Sequence, residues 1–239
     1  MRLLQDAGVK NISVDLIIAY PSQTISDLQQ DLSLLLSLKA QHISTYILSF
    51  ETGTPLTRQL NLNKISALPD TLVENMYLTV ARTLTSSGYE HYEISNFALP
   101  GFHSKHNSAY WTCDIPYLGF GPSAHSYDGK NSRTANVSNL TQYIYGIQSN
   151  APIISEDNLT EENKFDEYLM THLRTRQGIV LKNLSERFGQ DKVDYLLAQA
   201  HPYISSDKML LSDNQLHLTL SGIMTSDTII ANLMLPVNA

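Results

Sequence analysis

The sequence predicts an α/β chain that opens with parallel strands and ends in a smaller, winged-helix-like C-terminal part. Three observations carry this. Residues 11–20 are almost continuously apolar around Asp15, as in a parallel strand covered on both faces. Ile25, Leu28, Leu32, Leu35 and Leu36 then recur at helical spacing, and a second strand-like run follows from His42 to Phe50. Beyond Asn158, three helical patterns precede a hairpin, which is the element order of a winged helix.

Each element has a local reason. Thr24 stands as an N-cap, with Asp27 in the capping-box position three residues on. Strand, helix and strand at this spacing make a βαβ unit with a right-handed crossover. Residues 51–69 read as a long loop punctuated by Gly53 and Pro55. Leu72, Met76, Val80 and Leu84 mark a helix over 70–87, and Gly88 is placed to end it. Residues 89–97 alternate as a third strand, and 100–127 form an irregular stretch rich in aromatic residues and histidine. In the C-terminal part, helices are expected at 161–176, 182–188 and 191–201. A hairpin over 209–218 turns at Asp213-Asn214, and a last helix spans 221–233.

Composition narrows the function classes. The chain has 239 residues, 42% apolar and 16% charged, with a net charge of −7, which is the balance of a soluble globular protein. No apolar run reaches the ~18–20 residues of a membrane span. The first residues lack a signal-peptide core, so a cytoplasmic location is expected. The acidic balance disfavours nucleic acid and anionic membrane. The winged-helix pattern does not reverse this, because seven Lys or Arg face ten Asp or Glu from residue 158 onward. Its third helix carries Asp191 and Asp194 against Lys192 alone, whereas a groove reader needs a basic face. A docking or lid module fits better. The single cysteine, Cys113, excludes an internal disulfide and a zinc or iron–sulfur site held by this chain's own thiolates.

Three features bear chemistry. His103, His106 and His125 have no acidic partner at a metal-motif spacing, so no metal ligands are assigned. The run His106-Asn107-Ser108-Ala109-Tyr110-Trp111 gathers an imidazole, an amide, a phenol and the chain's one tryptophan. Such a set suits a planar conjugated ligand with an axial metal, or else anchors its own loop. Asp15, inside an apolar strand, either faces a ligand or satisfies a neighbouring backbone group or arginine.

Taken together, these segments resemble the oxygen-independent coproporphyrinogen III oxidase-like branch of the radical S-adenosylmethionine (SAM) enzymes. Residues 14–24, Val-Asp-Leu-Ile-Ile-Ala-Tyr-Pro-Ser-Gln-Thr, are similar to its DLIYGLPxQT signature, with Ile18, Ala19 and Tyr20 in place of Tyr-Gly-Leu. Residues 91–97 with Pro100-Gly101 match YEISNFxxPG, residues 106–111 match HNxxYW, and residues 117–126 match YLGxGPSAHS. The last two resemble the HemW-like haem chaperones more than the HemN dehydrogenases. Glu162 to Leu184, with Arg174 and Gly178-Ile179, resembles the family's C-terminal domain.

The resemblance implies the closing part of an incomplete (β/α) radical SAM barrel over 1–157, followed by a winged-helix-like domain over 158–239. It implies SAM and a 4Fe–4S cluster in the full-length protein. The cluster motif CxxxCxxC is missing here, so this chain alone should be inactive in radical chemistry. Asp15 and Ser49 match SAM-contacting positions. His106, Asn107, Tyr110 and Trp111, with His125, match or adjoin the segment implied to meet haem or porphyrin. The expected partners are haem or a porphyrin, with membrane respiratory proteins as haem acceptors and no nucleic acid. An unpaired barrel edge near residues 11–19 should favour self-association. The alternative function is oxidative decarboxylation of coproporphyrinogen III, and a winged-helix regulator is the remote one.

Overall fold

The computed structural model describes residues 1–236, and the chain divides into two compact units, Met1–Ser104 and Lys105–Ala239. The first unit comprises α1 (Arg2–Asp6), β1 (Ser13–Ile18), α2 (Ile25–Ser37), β2 (His42–Ile47), α3 (Pro55–Asn61), α4 (Asp70–Ser86), β3 (Glu90–Glu93) and β4 (Asn96–Ala98). The strands form one open sheet in the order β1-β2-β4-β3. β1 and β2 pair in parallel from Ser13↔His42 to Ile18↔Ile47, joined through α2. The expected capping box is present. The Thr24 hydroxyl accepts from the Asp27 amide, and the Asp27 carboxylate accepts from the Thr24 amide. Leu28, Leu32 and Leu35 bury one stripe of α2, while Met76, Val80 and Leu84 bury one stripe of α4.

Three expectations for this unit are corrected. β1 is covered on one face, not two: Ser13, Asp15 and Ile17 are exposed and Ile18 is fully buried. The strand lies at the edge of the sheet, and its alternation follows the pleat of a half-covered strand. The third strand is really a short antiparallel hairpin, β3–β4, and β4 pairs antiparallel with β2. The buried Glu93 carboxylate accepts from the Ser95 amide and from Asn96 Nδ2, so a side chain stabilises the turn where a continuing strand was expected. The loop after β2 contains α3, started by Thr54 as N-cap and Pro55 at the first turn, a combination that favours helix initiation.

The second unit comprises α5 (Lys105–Trp111), β5 (His125–Tyr127), β6 (Ser132–Asn136), α6 (Leu140–Gln148), β7 (Ile154–Asn158), α7 (Glu161–His172), β8 (Ile179–Val180), α8 (Leu181–Phe188), α9 (Gln190–Ser205), β9 (Met209–Ser212), β10 (Gln215–Leu218), α10 (Leu220–Ile223) and α11 (Ser226–Leu233). β5-β6-β7 form an antiparallel sheet, and β8-β10-β9 form another. The β9–β10 hairpin turns at Asp213-Asn214, both at positive φ, the backbone of a type I′ turn. The final helix is split at Met224–Thr225 into α10 and α11. The core gathers Phe165, Leu169, Leu173, Ile179, Leu184, Leu196, Leu216 and Leu233. The HNxxYW run is helical rather than looped: Pro100 and Gly101 end a turn before it, and Lys105–Trp111 contains neither residue type.

Candidate functional site

In the second unit, α5 and the segment from Tyr117 into β6 enclose a cleft of about 640 Å³, within the usual size of a small-molecule site. Tyr110, Tyr117, Leu118, Phe120, His125 and Arg133 line it, with small residues between them. Two of its lining rings, Tyr110 and Tyr117, belong to a run of ring contacts that extends beyond the lining to His106 and Tyr127. His106 meets the Tyr110 ring edge-on with centroids 5.1 Å apart, Tyr110 meets Tyr117 at 5.0 Å, and Tyr117 meets Tyr127 at 6.0 Å. The rim is apolar and open: Leu118 is 77% exposed and Phe120 is 85% exposed. A planar apolar ligand could stack there and still be released.

His125 is set by the chain beside it. Gly119 runs so close that a Cβ built on it would lie 2.2 Å from the His125 carbonyl oxygen. Its amide donates to Ser126 Oγ at 3.0 Å, and Asn136 Nδ2 donates to the Gly121 carbonyl at 2.9 Å. The segment is thereby fastened to β6.

Arg133 is the cleft's one lining residue with a fixed charge. It donates to Glu167 of α7 through Nη1 and Nη2, at 2.8 and 2.9 Å. Those hydrogen bonds push its pKa further above the usual guanidinium range, although burial opposes them. The guanidinium also lies 5.6 Å from the centre of the Tyr127 ring, and its buried Nε–H has no hydrogen-bond partner among the described residues.

The predicted haem-side residues fall into two groups. Tyr110 and His125 line the cleft, and His106 packs against Tyr110 one helical turn earlier. Trp111 is half-buried with its ring 5.7 Å from the Arg174 guanidinium. Its buried Nε1–H has no hydrogen-bond partner among the described residues. Asn107 is half-buried on the same short helix. Sequence reasoning overlooked Arg133 and the exposed side chains of Leu118 and Phe120. Leu118 and Phe120 stand inside the matched 117–126 motif, so their exposure was the missing signal.

The two SAM-side residues belong to the first unit. Asp15 is exposed on the open face of β1, opposite Ser44 in the ladder. It is therefore not the buried carboxylate expected from its apolar neighbours. Ser49 is exposed beyond β2 and donates to Glu51 Oε1 at 2.9 Å. Ala19, standing at the family's glycine position, takes φ +63° while buried, and its amide donates to Gln23 Oε1 at 2.7 Å.

No group of three or more His, Cys, Asp or Glu side chains suited to a metal ion occurs among the described residues. Cys113 Sγ lies 3.0 Å from Thr171 Oγ1, and burial pushes its thiol pKa up. One protected thiol does not fit a cluster that needs several thiolates. No helix among the described residues is long and apolar enough to cross a membrane.

Comparison with known proteins gives a consistent family. Residues 159–225 match the HemN C-terminal domain. The haem chaperone HemW of Bacillus subtilis is 34% identical over 187 residues, covering 78% of this chain and 49% of that protein. HemW of Lactococcus lactis is 29% identical over 233 residues, covering 97% of this chain and 60% of that protein. The mitochondrial radical S-adenosyl methionine domain-containing protein 1 of Danio rerio is 31% identical, covering 94% and 53%. The chain thus spans about half the length of the curated relatives it matches. Among solved structures, the radical SAM enzyme coproporphyrinogen III oxidase (HemN) of Escherichia coli aligns over 96% of this chain and 56% of its own, with a TM-score of 0.77 and 17% identity. That likeness carries the mixed α/β fold, here with open sheets.

Proposed function

We propose, for a chain that belongs to the HemN/HemW-type radical SAM family, that its second unit is the haem-holding part of a cytoplasmic haem chaperone. The observation that carries this is the aromatic cleft between α5 and β6. It presents tyrosine rings, one histidine with a second packed behind Tyr110, and one cation, and no acid lines it. Haem is cargo in this reading. Tyr110 and Tyr117 give it a flat contact, the Leu118 and Phe120 rim covers one side, and His106 or His125 supplies an axial nitrogen. The open rim allows transfer to an acceptor, for which respiratory membrane proteins are the class implied by the family resemblance.

The full-length protein would bind SAM through positions that include Asp15 and Ser49, and would hold the 4Fe–4S cluster on sequence other than this chain's. Cys113 cannot substitute for that set, so no radical step belongs to these residues. The C-terminal part, 158–239, is read as a docking or lid module. Coproporphyrinogen oxidation remains the alternative, but the likeness to that enzyme at 17% identity speaks for the fold only.

The test is a haem titration of the wild type, His106→Ala, His125→Ala and Tyr110→Leu, the last of which removes a ring that lines the cleft. Loss of the axial ligand should move the Soret band, whereas loss of an aromatic wall should weaken binding with the band unmoved. Unchanged affinity and spectrum in both histidine variants would refute the assignment.

A further inference from the structure

We propose that Arg133 recognises a carboxylate of the bound ligand, and that Glu167 competes with that carboxylate for the same guanidinium. The inference rests on the haem reading, because haem is a flat apolar ring carrying two propionate carboxylates. The cleft supplies tyrosine rings and an apolar rim for such a ring, but only one lining residue with a fixed positive charge.

A guanidinium has five N–H donors. Glu167 takes one on each of Nη1 and Nη2, which leaves three. One of these, on Nε, is buried without a partner among the described residues. The other two are the second hydrogens of Nη1 and Nη2. The Tyr117 hydroxyl, on a ring that lines the cleft, also interacts with this guanidinium, so an incoming carboxylate would meet Tyr117 and Arg133 together. The Arg133 side chain is 28% exposed and Glu167 25% exposed, so the pair is neither sealed off nor freely hydrated. Its position is fixed by the two hydrogen bonds and by the Tyr127 face, which spares an incoming carboxylate the cost of ordering a long flexible cation. In the whole molecule, which carries a net charge of −7, a site for an anionic ligand needs such a local cation. Glu167 then has two roles. It orients Arg133, and it offsets part of the charge that the ligand would otherwise meet.

This makes an unusual pair of opposite expectations. Removing Arg133 should weaken binding of the dianionic ligand, whereas removing the charge of Glu167 should strengthen it. Neither change should matter to the same ring with its carboxylates esterified. The experiment titrates haem and haem dimethyl ester into the wild-type chain, Arg133→Gln, Glu167→Gln and the double variant, with thermal melts of each. A charge-assisted hydrogen bond at a partly hydrated site corresponds to about tenfold in affinity. We expect Arg133→Gln to lose about that factor for haem and Glu167→Gln to gain a few-fold. The ester should bind all four proteins alike. The double variant keeps the pair neutral, so it still reports if Arg133→Gln alone fails to fold, and it too should lose haem but not ester. Equal losses for haem and ester would make Arg133 structural and overturn the proposal. Unchanged haem affinity in Arg133→Gln would overturn it while leaving the haem reading intact. A wild type that binds neither compound overturns both.

Discussion

Gly119→Ala is the sharpest perturbation of the cleft, because it adds one methyl group and asks the backbone for nothing unusual. Gly119 does not sit at positive φ, so the effect must come from space alone. The new Cβ would lie 2.2 Å from the His125 carbonyl oxygen, 2.7 Å from its carbonyl carbon and 2.8 Å from its amide nitrogen. Ordinary contact begins near ~3.4 Å, so one of the two segments must move by about 1 Å. Both are tethered to β6, the Gly119 segment where the Gly121 carbonyl accepts from Asn136 and the His125 segment through its pairing with Ala135. Overpacking of this kind costs about 2–3 kcal/mol, or roughly 5–10 °C in the melting temperature of a unit this size. Trp111 is the chain's single tryptophan and lies in this unit, so its fluorescence follows the relevant transition. Haem affinity should fall with stability, since His125 is the residue displaced. Gly121→Ala is the control: a Cβ there meets nothing within 4 Å, but φ is +106°, so it should cost about 1–2 kcal/mol through backbone strain. A Gly119→Ala melt superimposable on wild type would refute the steric argument.

Other outcomes follow from the same geometry. Burial holds the pKa of His42 and His172 below the usual histidine value. Below about pH 6.5 the unfolded chain therefore takes up protons that the folded chain does not, and stability should fall by about 1.4 kcal/mol per pH unit per histidine until the folded pKa is passed. Denaturant melts from pH 7.5 to 5 would show this, and His42→Gln should remove its share of the slope. Ala19→Gly should raise stability by about 0.5–1 kcal/mol, because relief of the left-handed alanine exceeds the entropy that glycine adds to the unfolded chain; a destabilised variant in urea melts would contradict it. The exposed edge at Ile17, 54% accessible, should drive self-association that Ile17→Lys abolishes in sedimentation velocity, and a wild type monomeric at high concentration would count against it. Reconstitution with iron and sulfide should give no visible cluster absorption, whereas stoichiometric cluster on the monomer would sink that expectation.

Local signals were the legible part. Thr24 with Asp27 gave the start of α2, and Asp213-Asn214 gave the β9–β10 turn. What escaped was decided by partners distant in sequence or by side chains replacing backbone. Glu93 folds 89–97 back on itself by accepting from Ser95 and Asn96, which strand alternation cannot reveal. The β5-β6-β7 sheet went unread, although Asp128-Gly129 marks its first turn and Asp128 Oδ1 accepts from the amides of Lys130, Asn131 and Ser132. At the site, the motif residues Tyr110 and His125 were legible as types. Arg133 was not, because its place in the cleft depends on the pairing of β5 with β6 and on Glu167 from α7.

The strand registers also set a timetable. β9 and β10 close across a two-residue turn, Gln215 opposite Ser212, so that ribbon can form as soon as it is synthesised. The first sheet cannot. β2 must wait for Ala98 to reach His42, and the loop closed in between holds α3 and α4. Pairings of such separation are slow because chain entropy is lost before any contact rewards it. A refolding chain should therefore protect the amides of Gln215–Leu218 well before those of Asn96–Ala98. In the interval β1 and β2 stand as a two-stranded ribbon with apolar flanks, and in that interval capture by a chaperone or by another nascent chain would take place.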